Sequence, residues 1–369
     1  MISSYQLHKG KVFYLLCELN HREGEFKDQL FSLFKQYDEE CYNNNLNDAT
    51  TVYVKLYVSD VTNQSSFAMS YIRQRNLFGV VIGMPPASGA MVALEAFHMV
   101  GEYSREVRED GVYIKHGKYE SIWNCVLPSQ SVQKGDSFIQ TEDILNQLSQ
   151  LHKPYLVKDI VHRTWFYVRD IDNNYAAFVK SRMQWFEKNG MTKSTHFISS
   201  TGIEGTTCMP SHLVSLFSYA ERGLQEEQVQ YLSATDYLNP THEYNVTFER
   251  GTCLQYGDMR QYFISGTASI DKNGVVVYPG EVCQQIERIR SNIDALLHDG
   301  GSSVCDISMM IVYVRDPANY NYVRKEIESY FPDVPYLLLK GSVCRTDWVI
   351  EIECIAFGDG ISSAYNDFY

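Results

Sequence analysis

Glu351 and Glu353 are the residues in this chain best placed for acid–base work. They lie in the run Trp348-Val-Ile-Glu-Ile-Glu-Cys-Ile-Ala-Phe357, whose apolar, β-branched character predicts a strand. Alternate residues of a strand share a face, so Val349, Glu351 and Glu353 point one way and Trp348, Ile350 and Ile352 the other. Two carboxylates so close raise each other's proton affinity, and apolar neighbours raise it further. A carboxylic acid kept protonated near neutral pH can donate that proton to a reacting carbon. Arg345 precedes Glu351 on the loop feeding the same strand, and Arg163 lies on another predicted strand with Trp165 and Tyr167 on its face. An arginine fork bonds carboxylates bidentately, so both are candidates for holding an anionic substrate. Cys344 adjoins Arg345, and a neighbouring guanidinium would lower a thiol's pKa.

A threefold repeat positions these residues. Leu56-Tyr-Val-Ser-Asp-Val-Thr-Asn-Gln64, Phe166-Tyr-Val-Arg-Asp-Ile-Asp-Asn-Asn174 and Val312-Tyr-Val-Arg-Asp-Pro-Ala-Asn-Tyr320 align without gaps. Each closes a β-rich run (51–58, 160–168, 307–314) in Asp and an Asn-bearing turn. A helical pattern precedes each (26–37, 141–152, 281–298), a second follows (67–75, 175–188, 322–330), and an apolar strand ends the unit (91–99, 213–220, 348–357). The predicted class is α+β, in three tandem units at 1–105, 106–245 and 246–369. The charge run 104–111 marks one boundary and the segment 239–245 the other. At the place of Glu351 the first unit has Ala93 and the second Ser215, so this carboxylate occurs once per chain.

The 369 residues carry 32 Lys and Arg against 45 Asp and Glu, a net charge of −13. That balance argues against a nucleic-acid partner, whose phosphates need a basic surface. The nine cysteines form no C-x-x-C pair, and neither they nor the ten histidines fall at metal spacing. Reduced thiols in a reducing cytosol and no metal or organic cofactor are the expectation. The apolar run 12–17, cut off by Glu18, is too short for a signal segment or a membrane span, so the reading is cytoplasmic with no membrane partner.

Residues 246–369 resemble the Rid (YjgF-type) superfamily. The resemblance is carried by Ile264-Ser-Gly-Thr-Ala-Ser-Ile270, Tyr278-Pro-Gly280, Gln284-Gln285 ahead of Asn292-Ile293, the run 312–316, Phe331-Pro332 and Ile350-Glu-Ile-Glu-Cys-Ile-Ala356. Rid proteins are small chorismate-mutase-like α+β subunits that trimerise, with sites in the clefts between subunits. Three such units imply an intrachain pseudo-trimer, a monomer with at most a weak dimer through an exposed strand edge.

Within the superfamily the chain is more similar to the chorismatases, also called pteridine-dependent dioxygenase-like proteins. It shares their length, Ser200-Thr-Gly-Ile203, Ser265-Gly-Thr-Ala-Ser269, and Val343-Cys-Arg345 followed by Ile350-Glu-Ile-Glu353. The resemblance implies cleavage of the enolpyruvyl ether of chorismate, a small anionic substrate, to pyruvate plus a hydroxybenzoate or a cyclohexadiene diol. Glu351 would be the general acid in a single cleft between units two and three. It implies substrate contacts from Thr201, Gly202, Gly266, Thr267 and Ala268, beside Arg345, Arg163 and Tyr167. Cys344 resembles a cysteine of those chorismatases that make 3-hydroxybenzoate, which favours that product over 4-hydroxybenzoate or the diol. Glu204 departs from the pattern by standing where the family has Gly, and a carboxylate beside a dianion would oppose binding. Two alternatives stand beside this reading. Rid-type enamine/imine deaminases carry an Arg shortly after the Phe-Pro turn, where this chain has Tyr336, and a non-catalytic ligand-binding member of the fold needs no acid.

Overall fold

A computed structural model describes residues 1–19, 23–241, 246–360 and 362–369. In the first unit β1 (Ile2–Gln6), β2 (Lys11–Glu18), β3 (Thr51–Val58), β4 (Gly79–Gly83) and β5 (Val92–Val100) carry α1 (Phe26–Asn43) and α2 (Val61–Gln74). The second has β6 (Tyr103–Val107), β7 (Gly111–His116), β8 (Tyr119–Val126), β9 (Val161–Val168), β10 (Ser199–Glu204) and β11 (Val214–Arg222), with α3 (Ser137–His152), α4 (Val157–Ile160) and α5 (Ile171–Lys188). The third has β12 (Val229–Leu232), β13 (Gly251–Gln255), β14 (Met259–Thr267), β15 (Ile307–Val314), β16 (Tyr336–Lys340) and β17 (Ile350–Asp359), with α6 (Val282–Asp299) and α7 (Tyr320–Tyr330).

The sheet orders β1-β2-β5-β3-β4, β6-β7-β8-β11-β9-β10 and β12-β13-β14-β17-β15-β16 are one topology used three times. In each, the last strand inserts between the leading strands and the central one, and the central strand pairs in parallel with the edge strand that follows it in the chain. The central strands β3, β9 and β15 are buried along their whole length. Helices cover one face of each sheet, and the other faces meet in a common core where Tyr57, Tyr167 and Tyr313 occupy equivalent places. Short main-chain bridges stitch every pair of units together: Gly83 to Thr206, Pro86 to Leu339 and Ser199 to Glu249.

The Asp-and-Asn segment after each central strand is a helix start rather than a free turn. Asp60 accepts from the Asn63 amide, and Asp316 from the Ala318 amide, so α2 begins six residues earlier than the apolar pattern alone indicates. The expected boundary at 105 falls within β6, and β12 joins the third sheet ahead of 245. Of the segment 239–245, residues 242–245 lie outside the described residues. His8, Asp258 and Asp367 gather across the ends of the chain, but both Asp258 oxygens accept backbone amides, from His8 (3.0 Å) and Phe368 (2.8 Å). Among the described residues no helix is long and apolar enough to cross a membrane.

Candidate active site

Where β10 and α5 of unit two face β14 and β17 of unit three, a cavity of about 170 Å³ opens. Unit two supplies Tyr175, Arg182, Ser200 and Gly202, and unit three Phe248, Arg250, Gly266, Ala268, Cys344, Arg345, Trp348 and Glu351. The floor is built from small residues for a reason. β14 leaves regular pairing with β17 between Ile264 and Thr267, and a Cβ on Gly266 would overlap the Glu351 carboxylate.

Glu351 and Glu353 share a face of β17 and are both buried, but their surroundings differ. Glu353 accepts from Arg163 Nη2 (2.6 Å), Trp165 Nε1 (2.8 Å), Tyr313 OH (3.1 Å) and the Thr201 hydroxyl. Among the described residues Glu351 makes no hydrogen bond, and its carboxylate lines the cleft. Burial, then the charge of Glu353, push its pKa from 4.5 up to about 8, with Arg163 and Arg250 opposing. Burial and the neighbouring charge thus favour the protonated form of this carboxyl group.

Three guanidinium groups surround it. Arg182 reaches Ser200 Oγ at 3.5 Å and packs on Phe178. Arg250 donates to the backbone and side-chain oxygens of Asn239, and Arg345 lies over the Trp348 ring. Of the residues anticipated from sequence, Glu351, Cys344, Arg345, Gly202, Gly266 and Ala268 line the cleft. Arg163 and Thr201 do not, because their strands turn these side chains into the inter-unit core, where both are bound to Glu353. Tyr167 lies in that core, and Thr267 donates to the Ser265 carbonyl. The expected lowering at Cys344 is reversed. Burial, then the Glu351 carboxylate, push the thiol up to about 12, and Tyr175 and Arg345 offset only part of this. Glu204 is not among the residues lining the cleft, and its carboxylate accepts the Ser342 amide at 3.1 Å. Arg182 and Arg250 were missed. Arg182 does leave a signal, a cation set among Phe178, Ser181 and Trp185 on the buried face of α5.

The repeat places two further clefts at equivalent positions. Between units three and one, a cavity of about 420 Å³ is lined by Leu16, Glu18, Arg324, Glu328, Tyr336 and Leu338. Strand register puts Leu338 where Gly202 stands and Glu18 where Ala268 stands, and Glu328 follows Tyr313 at the remove of Arg182 from Tyr167. Between units one and two, a cavity of about 1080 Å³ has Ser215 at the place of Glu351 and apolar walls from Val81, Leu127, Leu216 and Phe217.

Residues 254–357 match the model of the Endoribonuclease L-PSP family. Over 97 residues the chain is 29% identical to 3-aminoacrylate deaminase RutC of Acinetobacter baylyi, covering 26% of this chain and 76% of that one. It is 28% identical to a RutC family protein of Pyrococcus abyssi over the same length and shares. A chorismatase crystal structure superposes with a TM-score of 0.67 over 95% of this chain and 100% of its own, at 16% identity. The likeness along the whole chain is one of fold, chorismatase-like and built of Rid/YjgF-type units.

Proposed function

We propose that this chain, with its chorismatase fold and Rid/YjgF-type third unit, cleaves the enolpyruvyl ether of chorismate in the cleft between units two and three. The observation that carries the reading is Glu351: a buried carboxyl group, its protonated form favoured by burial and by Glu353, in a cleft lined by three arginines. Its proton passes to the enolpyruvyl methylene, which becomes a methyl group and leaves positive charge on the ether carbon. Water adds to that carbon and returns a proton to Glu351. The hemiketal hydroxyl gives up its proton, the ring oxygen gains one, and the bond between that oxygen and the former ether carbon breaks, releasing pyruvate and the diol. If instead the ring hydroxyl attacks the neighbouring ring carbon that bears the ether oxygen, that ring carbon–oxygen bond breaks, pyruvate leaves and the hydroxyl proton returns to Glu351. The epoxide so formed opens and rearomatises with loss of a ring proton to hydroxybenzoate, without net uptake of water. Arg182, Arg250 and Arg345 are the cations suited to two substrate carboxylates, and the overall charge of −13 makes such local cations necessary. Cys344, a neutral thiol on the cleft wall, is the group placed to bias aromatisation toward 3-hydroxybenzoate.

Against deamination of an imine, Tyr336 stands in the other cleft with its hydroxyl on Glu328, at the position where the deaminase pattern calls for a cation. The test measures, side by side, pyruvate released from chorismate and from isochorismate, and ammonia released from an imine of 2-oxobutyrate. Pyruvate from chorismate supports the reading. Cleavage of isochorismate alone keeps the reaction and changes the substrate, and hydrolysis of the imine alone overturns both.

A further inference from the structure

Protonation of Glu351 requires a reason for the proton to reside there rather than on its neighbour. Thr201 supplies it. Its oxygen accepts from Arg163 Nη2 at 2.5 Å and from the Gly266 amide at 2.9 Å, which occupies both lone pairs, so its own proton must go to Glu353. The indole of Trp165 and the guanidinium of Arg163 can only donate, and Tyr313 donates as well. Four donors on two oxygens leave no place for a proton on Glu353. Three of the four, Arg163, Trp165 and Thr201, come from unit two, whereas Glu353 belongs to unit three. We propose that Glu353 is the positioning residue of this site: an anion locked across the boundary between units two and three, whose charge holds the proton on Glu351.

The inference rests on reading Glu351 as the proton donor. The charged and titratable groups that line the cleft with Glu351 or lie behind it are Glu353 on its own strand, Arg163 on β9, Tyr175 and Arg182 on α5, Arg250 ahead of β13, and Cys344 and Arg345 on the loop before β17. Of these Glu353 is the one that pushes Glu351 toward its neutral form, after burial itself, and Arg163 acts the other way with less effect. Opposite and unequal influences give a signature that simple loss of structure would not.

The experiment is an infrared titration of the buried carboxylic acid in ligand-free protein, with the band assigned by its absence in Glu351→Gln. Wild type titrates near pH 8. In Glu353→Gln the midpoint falls by roughly one to two pH units, the worth of one charge about 7 Å away at an effective dielectric near 20. Glu353→Gln combined with Arg163→Met removes both charges and leaves no unpaired cation, so it folds even if the single variant does not. Its midpoint falls between those of Glu353→Gln and wild type. A wild-type midpoint in either variant overturns the proposal. Because the titration needs no substrate, a shifted midpoint in a protein inert toward every enol ether would overturn the reaction and keep the coupling.

Discussion

The cleft between units two and three and the cleft between units three and one are built at equivalent places of one repeat, yet their charges are opposed. The first sets Arg182 on its helix and Ala268 on its strand, and the second sets Glu328 and Glu18 there. The first is floored by Gly202 and Gly266, the second by Leu338 and Leu16. A dianion finds three guanidinium groups and a neutral acid in one, and in the other two carboxylates with a single guanidinium, Arg324, that is already paired with Glu328. The fold thus fixes where a cleft lies, while a handful of substitutions decides what it can hold, which is the general relation between fold and function.

Writing the second cleft into the first is the strongest way to break the comparison. Arg182→Glu should raise the KM for chorismate by about 100-fold or more, since a charge-assisted hydrogen bond contributes roughly 1.5–3 kcal/mol and reversal adds repulsion. Unchanged KM would remove Arg182 from substrate binding.

The acid itself leaves a mark on stability. The folded chain keeps the Glu351 proton up to about pH 8, while the unfolded chain releases it near 4.5. The folded state therefore binds more protons in that window, and unfolding free energy declines from pH 4.5 to 8. Denaturant titrations across that range should show a flatter decline in Glu351→Gln, and identical slopes would contradict the burial assigned to the acid.

A smaller effect is expected at Cys344. Cys344→Ala should leave pyruvate release within a few-fold and move product from 3-hydroxybenzoate toward diol, read by chromatography. An unchanged ratio would make the thiol a packing group. The smallest effect sharpens the contrast from the other side. Glu18→Gln and Glu328→Gln, in the cleft between units three and one, should leave turnover on chorismate within about twofold, because neither side chain lines the cleft that holds Glu351.

The repeat was legible because each central strand ends in the same Tyr-Val-x-Asp pattern, and because that Asp stands at the start of the following helix in all three units, capping it at Asp60 and Asp316. Glu351 was legible from strand alternation and from its absence in the other two units. Arg163 and Thr201 were misplaced because alternation says which residues share a face and not what packs on it. They face the inter-unit core and serve Glu353, and beside Arg345 the cations of the cleft come from α5 and from the segment before β13. Cys344 was misjudged because adjacency to Arg345 along the chain says nothing about burial, which outweighs it.

The central claim is that one buried acid in one of three equivalent clefts drives the reaction. The most direct test is pyruvate release from chorismate by wild type and Glu351→Gln, each checked for native folding. The amide keeps the shape and cannot give up a proton, so turnover should fall by ~10²–10⁴-fold with the protein folded. Wild-type turnover in Glu351→Gln would contradict the account.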